Sequence, residues 1–225
     1  MTPLSPSERQ ALLVDGFVVV AGPVPSERLA RLADAYDAAI RDADPHDLHI
    51  GRTTTRVSAL LDRGSEFDDV FVHAPLLEAC ELVLGAAFKL SSLHARTLRP
   101  HAPALGLHVD VARDAPDAPL LGFILMIDGF REDNGATRFV PGSHRAPGGD
   151  VHDLGLPACG AAGSMILYDA SILHGHGANG SSELRRSIQG AFLRRDAHAA
   201  TDFAARLRAE TRARLSPLAR QLLAL

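Results

Sequence analysis

The first forty residues of the chain alternate between helical and strand patterns. Residues Ser5 to Glu8 place an N-cap serine, a proline at the first helical position and a glutamate three residues after the cap. This signature predicts a helix that runs to about Leu13. The run Phe17 to Val20 is rich in β-branched residues and follows an Asp-Gly turn, so it predicts a buried strand. Apolar residues at helical spacing then predict an amphipathic helix from Pro25 to about Asp42.

The next stretch, Asp44 to Asp68, has few apolar positions and contains three consecutive threonines among histidines and arginines. We expect a long irregular connection here, of the kind that forms lids or binding segments in compact domains. A further helix is expected from about Pro75 to Leu84, where Gly85 would end it.

From residue 88 onward the pattern changes to short strands separated by glycine and proline. The predicted strands are Phe88 to Leu98, Leu107 to Val111, Leu120 to Asp128, Ala136 to Val140, Ser164 to Tyr168 and Arg186 to Arg194. Asn134-Gly135 lies between two apolar runs and predicts a hairpin, since both residues tolerate a positive φ. Helices followed by many strands favour a β-sandwich or open barrel with helices on one side. We expect residues 201–225 to form a helical tail that packs on the barrel, with a membrane or partner helix as the alternative.

Composition narrows the class of protein. The 225 residues are 46% hydrophobic and 22% charged, which suits one domain with a sizeable core. A formal charge of −4 with scattered arginines gives no footprint for nucleic acid. Cys80 and Cys159 are too few for a disulfide framework. The chain starts without a signal-peptide pattern, and its longest apolar run, Leu120 to Ile127, is too short to span a bilayer, so we expect a soluble, cytoplasmic protein without membrane contact.

The chemistry of the chain centres on His108 and Asp110. Side chains two residues apart on an extended strand point to the same face, so this pair could hold one ion. Two histidines and one carboxylate form the facial triad that leaves positions on Fe(II) open for substrate and O2. A His-x-Asp pair alone is weak, because about one is expected by chance in a chain of this composition. The alternative is a structural histidine beside a turn or cap aspartate.

The third ligand would come from His174 or His176, which follow an apolar strand. Both could face the same ion, so spacing does not choose between them. Arg185 begins a strand in which one side chain in two faces the barrel interior, and a buried guanidinium requires an anionic partner. The alternative is an outward Arg185 or Arg186 paired with an acid on the surface.

Several motifs in order resemble the phytanoyl-CoA dioxygenase family. Asn134-Gly135 opens a run that ends in Pro-Gly-Ser-His at His144 and is similar to the family's NGxxxxxPGSH signature. The segment from His174 to Asn179 resembles its H-G-x-G-x-N motif, and Arg185 follows His174 by eleven residues. The segment Asp15-Gly16-Phe17-Val18 resembles the family's N-terminal strand. The resemblance covers roughly residues 12–194.

This resemblance implies a mainly β fold with flanking α-helices, built on a cupin-like double-stranded β-helix, or jelly-roll, core. We expect a single domain over residues 1–225. Its N-terminal part, up to residue 87, would be mainly helical, with one strand and a lid-like loop. The core would span 88–195 and the helical tail 196–225. The run from Asn134 to His144 would be structural.

The resemblance also implies the cofactors Fe(II) and 2-oxoglutarate, with His108, Asp110 and His174 as iron ligands. Arg185 matches the family's anchor for the distal carboxylate of 2-oxoglutarate. His176 stands where Ser or Thr often supports this cosubstrate, so it would take over that hydrogen bond or compete as a ligand. Arg56 falls about where some members place a cationic residue near the cosubstrate. Val109 replaces a polar residue common in the family, so one contact there is absent.

The expected activity is a 2-oxoglutarate-dependent dioxygenase that hydroxylates an unactivated C–H bond of a small molecule, using O2 and releasing succinate and CO2. By the same resemblance, Asp110 favours hydroxylation over halogenation, while desaturation, epoxidation and cyclisation stay open. The alternatives are a non-enzymatic cupin-like barrel that binds a ligand or Zn²⁺, with His176 as a fourth ligand, and a metal-dependent isomerase or lyase. The sequence leaves the substrate and the oligomeric state unassigned. Four arginines would favour an anionic group if they reach the pocket mouth and are otherwise solvated loop residues: Arg52, Arg56, Arg99 and Arg113.

Overall fold

The computed structural model describes residues 3–85, 87–112, 114–115, 119–145 and 155–225. Its N-terminal part begins with α1 (Pro6–Val14), β1 (Phe17–Ala21) and α2 (Ser26–Arg41). The predicted capping box is present, since the Ser5 hydroxyl accepts from the Glu8 N–H and the Glu8 carboxylate accepts from the Ser5 N–H. These elements are confirmed to within a residue or two of their predicted bounds.

The prediction of an irregular connection over residues 44–68 is wrong. The segment forms β2 (Leu48–Ile50), β3 (Thr54–Val57) and two 3₁₀ turns, Leu60–Arg63 and Ser65–Phe67. Threonine is β-branched and favours strands, and β3 pairs on both sides. The N-terminal part therefore carries three strands rather than the one we expected. It ends with α3 (Ala74–Leu84), and Gly85 follows with a φ of +90°.

The remaining strands form two antiparallel sheets. They are β4 (Phe88–Leu98), β5 (Leu120–Met126), β6 (Thr137–Phe139), β7 (Leu156–Pro157), β8 (Ser164–Asp169), β9 (His174–His176) and β10 (Arg185–Arg194). The large sheet has the order β1-β8-β5-β10-β4-β3-β2, and the small sheet has the order β7-β6-β9. One hydrophobic cluster joins the large sheet to the helices, and a second lies between large-sheet residues such as Ile124 and small-sheet residues such as Phe139.

Two local predictions in this region are wrong. Residues 107–111 do not form a strand: in the described chain His108 makes an isolated bridge to His174, and the neighbouring residues continue no ladder. Asn134-Gly135 does not close a hairpin, because β6 pairs with β7 and β9 rather than with β5. Gly135 still makes a turn with a φ of +81°.

The tail contains three short helices, α4 (Phe203–Arg206), α5 (Ala209–Arg214) and α6 (Pro217–Leu222). Most of its leucines are buried in the cluster that joins the large sheet to the helices, as predicted for a packed tail, whereas Leu218 is exposed. None of the helices in the described ranges has both the length and the apolar character needed to cross a membrane.

Candidate metal centre

His108 and His174 are held together by their backbones. Each residue's N–H donates to the other's carbonyl at 2.9 Å. The N–H of Asp110 donates to the carbonyl of Ala170 at 2.9 Å, which fixes the carboxylate on the same side. Two segments more than sixty residues apart therefore meet beside β8 and β9.

The three predicted ligand side chains converge. One ligand atom from each of His108, Asp110 and His174 lies within 4.8 Å of the other two. The Nε2 atom of His174 is 3.6 Å from Asp110 Oδ2, and that of His108 is 3.9 Å from Oδ1. This arrangement supplies two imidazole nitrogens and one carboxylate on one side of a common point, which is a facial donor set.

Hydrogen bonds set the orientation of both imidazoles. The Nδ1–H of His174 donates to the carbonyl of Ile172 at 3.0 Å, and the Nδ1–H of His108 donates to that of Gly106 at 3.2 Å. A carbonyl only accepts, so in each ring Nε2 keeps its lone pair and faces the other donors. Burial lowers the pKa of His174, which keeps the ring in the neutral form that binds metal. The residues present therefore fit a divalent metal ion.

His176 lies beside this group but is not part of it. Its Nδ1–H donates to the Gly177 carbonyl at 2.9 Å, and its Nε2 accepts from the hydroxyl of Thr53 at 3.3 Å. Burial lowers the pKa of His176 to about 4. Because its ligand atoms fall outside the 4.8 Å group, the described residues do not provide the four-ligand set of the zinc alternative.

Arg185 points inward and forms no ion pair with an acid in the described part of the chain. Its side chain is 1% exposed, one Nη donates to the Gly135 carbonyl at 2.5 Å, and the guanidinium lies 4.1 Å from the centre of the Phe130 ring. Its Nε is buried without a hydrogen bond, and burial lowers the pKa of Arg185 to about 9. The alternative of an outward arginine paired with an acid applies to Arg186 instead, which pairs with Asp128 and Asp37. A buried guanidinium of this kind suits a carboxylate ligand.

The metal group and Arg185 open into one cavity of about 220 Å³. His176 and Thr137 line it between them, and the exposed side chain of Arg56 lines it from β3. Of the other proposed pocket-mouth arginines, Arg52 and Arg99 are not among the lining residues; Arg99 donates to the Gly51 carbonyl at 2.5 Å instead. Arg113 lies outside the described residues.

The sequence analysis missed several polar lining residues, among them His94, Arg96, Tyr168 and Gln189. The signal for two of them is visible in hindsight along β4. Polar residues alternate with apolar ones there, since Ser92, His94 and Arg96 share one face while Leu93 and Ala95 share the other. Tyr168 carries no such signal, because it ends an apolar run.

The family motif between Asn134 and His144 has structural contacts. The Asn134 amide donates to the Gly129 carbonyl at 2.9 Å, and its oxygen accepts from the Arg131 N–H at 2.8 Å. His144 lies 3.3 Å from the Leu13 carbonyl, on the α1 side of the sandwich. These contacts support the structural role that we predicted for the run.

The sequence profile of the family described as Phytanoyl-CoA dioxygenase matches residues 12–187. The chain belongs to the phytanoyl-CoA dioxygenase family. Among curated relatives, the dioxygenase cdmD of Talaromyces verruculosus is 26% identical over 211 residues, covering 77% of this chain and 69% of the relative. Family membership confirms the predicted enzyme class, a dioxygenase, and argues against the non-enzymatic alternative.

Solved structures confirm the jelly-roll fold of this phytanoyl-CoA dioxygenase family member. EctD from S. alaskensis with bound Fe has a TM-score of 0.73 at 17% identity, covering 86% of this chain and 78% of that one. The non-heme alpha-ketoglutarate-dependent epimerase SnoN from nogalamycin biosynthesis has a TM-score of 0.70 at 18% identity, covering 84% and 82%. The two facing sheets are thus the double-stranded β-helix expected from the sequence.

Proposed function

We propose that this protein is an Fe(II)- and 2-oxoglutarate-dependent oxygenase that hydroxylates an unactivated C–H bond of a small molecule. One observation carries the proposal. A buried arginine without an acid partner shares a cavity with two histidines and an aspartate whose ligand atoms lie within 4.8 Å of one another. A metal ion and a dicarboxylate are the pair of ligands that this combination would take.

In the proposed site, His108, Asp110 and His174 hold the iron. The Nδ1 hydrogen bonds orient both imidazoles with Nε2 toward the ion, and Asp110 contributes the one negative charge. These three residues would hold the ion from one side of the cavity, and the cosubstrate and O2 would approach from the cavity itself. His176 stays outside the metal coordination.

Arg185 anchors the far carboxylate of 2-oxoglutarate in this proposal. Its buried Nε lacks a partner, and the guanidinium fork matches a carboxylate with two parallel hydrogen bonds. His176 and Thr137 also line the cavity. Because His176 Nδ1–H donates to Gly177, its Nε2 is an acceptor, so the predicted hydrogen bond to the cosubstrate requires that the ring change tautomer and leave Thr53. Arg56 stands farther out on β3, so its predicted contact with the cosubstrate stays a weaker part of the assignment.

When bound, the iron supplies the redox chemistry that activates O2 and couples it to decarboxylation of the cosubstrate. The chain holds the reactants. His174 is 6% exposed, Ile124 lines the cavity, and the Phe139 ring stacks on the His174 imidazole with ring centres 5.5 Å apart. Placement of the substrate C–H bond beside the metal then decides which position is hydroxylated.

The test is a dioxygen-electrode assay of the Fe(II)-loaded protein with 2-oxoglutarate, with succinate measured by NMR. We expect slow, iron-dependent succinate formation without substrate, and its loss in Asp110→Ala. Faster turnover with a candidate substrate, and incorporation of one oxygen atom from ¹⁸O2, would identify hydroxylation. A protein that consumes no 2-oxoglutarate and retains Zn²⁺ tightly would refute the oxygenase assignment.

A further inference from the structure

Two arginines line the cavity of the proposed metal centre, where Asp110 supplies one negative charge against their two positive ones. Arg56 on β3 and Arg96 on β4 are direct cross-strand partners, and both side chains line the cavity. Like charges directly opposite each other destabilise a sheet. Within the described part of the chain, neither guanidinium forms an ion pair, and Asp110 is the one carboxylate in the cavity lining. The pair therefore costs folding energy, which the single charge of Asp110 offsets only in part.

Arg96 is the more buried of the two arginines. Its Nε is buried without a hydrogen bond, and its one side-chain contact is a 3.4 Å hydrogen bond from Nη1 to the neutral Oε1 of Gln189. Burial and the charge of Arg56 lower the pKa of Arg96 to about 10, so the group is still charged at neutral pH. A charged group with a free donor inside a cavity suits an anion, with which it forms a strong, charge-assisted hydrogen bond.

His94 continues the same row of donors. It lies two residues before Arg96 on β4 and directly opposite Gln189 on β10, and its Nε2 is buried without a partner. Burial and the two arginines lower the pKa of His94 to about 4, so at neutral pH the ring is a neutral donor and acceptor. The donor row, defined as Arg56, Arg96, His94 and Gln189, thus runs along one wall of the cavity.

With iron and 2-oxoglutarate bound, the charges of the donor row would still have no counter-charge. On the proposed function, the two charges of Fe(II), those of Asp110 and Arg185, and the two carboxylates of 2-oxoglutarate cancel. Arg56 and Arg96 then remain as two positive charges in a small, partly closed cavity. Such a field concentrates anions and rejects cations.

We propose that the donor row is a substrate subsite for a carboxylate, so that the enzyme acts on a small carboxylic acid or on the carboxylate end of a larger one. The inference rests on the proposed function in one respect, since the metal and 2-oxoglutarate occupy the remainder of the cavity. The Arg96 guanidinium is the principal contact, Arg56 contributes its charge from the rim, and His94 and Gln189 give hydrogen bonds. A substrate held there lies beside the proposed metal group, which lines the same cavity.

The test compares charged and neutral probes of matched shape. Benzoate and hexanoate, with benzamide and hexanamide as their neutral counterparts, are titrated against protein loaded with Zn²⁺ and saturated with 2-oxoglutarate. Saturation-transfer NMR reports binding without turnover. We expect the carboxylates to bind at least about tenfold more tightly than the amides, because the charge-assisted contact is lost in the amide. Equal binding of the two, or no binding of either, would overturn the proposal.

Variants assign the effect to the donor row. Arg96→Gln should weaken the carboxylate probes about tenfold or more, and should weaken them by a larger factor than it weakens 2-oxoglutarate. Arg194→Gln is the matched control, because it removes one positive charge from the exposed end of β10, where Arg194 pairs with Asp196. A variant that loses 2-oxoglutarate binding but keeps probe binding would make Arg96 a cosubstrate ligand and refute the subsite.

Two further readouts keep the outcomes separate. A carboxylate probe that displaces 2-oxoglutarate occupies the Arg185 end, which also counts against the subsite. If 2-oxoglutarate does not bind in the presence of metal, the proposed function fails, and the carboxylate-to-amide comparison is then made on the metal-loaded protein alone. Should Arg96→Gln not fold, Arg96→Lys replaces it: the subsite requires that Lys restore carboxylate selectivity only in part, since its point charge lacks the planar fork.

Discussion

The phenol of Tyr168 donates a 2.8 Å hydrogen bond to Oδ2 of Asp110. Burial raises the pKa of Tyr168 well above its ordinary value, and the neighbouring Asp110 raises it further, so the hydroxyl stays a donor. The bond holds one carboxylate oxygen and leaves Oδ1, on the His108 side, free for a metal. Tyr168 thus positions a proposed ligand, although it is not one itself.

We predict that Tyr168→Phe weakens metal binding by about tenfold, because loss of an outer hydrogen bond typically costs 10- to 100-fold in metal affinity. Co²⁺ titration followed by visible absorption measures the effect. Tyr36→Phe is the control, since Tyr36 shares a buried 2.9 Å hydrogen bond with Thr97 instead. Gly122→Ala should reproduce the loss, because a Cβ at Gly122 would overlap the Tyr168 ring. Unchanged Co²⁺ affinity in Tyr168→Phe would remove the positioning role.

Neighbouring arginines on β10 give a matched pair for the cosubstrate. Arg185→Gln should raise the Kd for 2-oxoglutarate by roughly 10- to 100-fold, the effect of losing a charge-assisted contact of about 1.5–3 kcal/mol. Arg186→Gln should lower the melting temperature, because Asp128 loses its partner, and should leave that Kd unchanged. Isothermal titration of the metal-loaded variants measures both. If Arg186→Gln raised the Kd and Arg185→Gln did not, Arg186 would be the residue that binds 2-oxoglutarate.

Substitution of the two histidines of β9 should reduce the metal affinity to different extents. His174→Ala is expected to lose more than the roughly 10- to 100-fold in metal affinity that removal of an outer partner costs. His176→Ala should stay within that range, because its nitrogens contact Gly177 and Thr53 rather than the metal group. Metal content after dialysis against a weak chelator compares them. A greater loss in His176→Ala would exchange the two assignments.

Acid should destabilise the metal-free protein through His94. The unfolded histidine binds a proton below its ordinary pKa of 6.5, whereas the folded ring stays neutral to about pH 4. Stability is therefore fully present above pH 6.5 and decreases as the pH falls toward 4, by on the order of 2 kcal/mol from this group. Urea unfolding at pH 7 and pH 4.5 should show a smaller difference between the two pH values in His94→Gln. An equal difference in both proteins would exclude His94 as the source.

Local patterns predict the regular elements of this fold well and the long-range ones poorly. The bounds of β4 follow from its alternation over eleven residues, and α1 follows from the capping box at Ser5. Edge strands such as β2 are only three residues long, so they carry too little periodic signal to be predicted. The pairing of β6 with β9 joins residues nearly forty positions apart, and no local turn signal specifies it.

The residues of the candidate site could likewise be predicted only in part from the sequence. Residue type, order and the family resemblance predict His108, Asp110, His174 and Arg185, but the strand proposed to align the first two is absent. A backbone bridge to His174 aligns them instead. The roles of Tyr168 and Arg96 depend on neighbours from other strands, and these neighbours appear only after the sheets are assembled.

The central claim is that His108, Asp110 and His174 bind iron in the cavity where Arg185 binds 2-oxoglutarate. Its most direct test is anaerobic titration of the Fe(II)-loaded protein with 2-oxoglutarate, followed by visible absorption. We predict a charge-transfer band that saturates at one equivalent, that is absent in His174→Ala and that requires a higher 2-oxoglutarate concentration in Arg185→Gln. An Fe(II)-loaded protein that shows no band at saturating 2-oxoglutarate, or a band of unchanged affinity in Arg185→Gln, would contradict it.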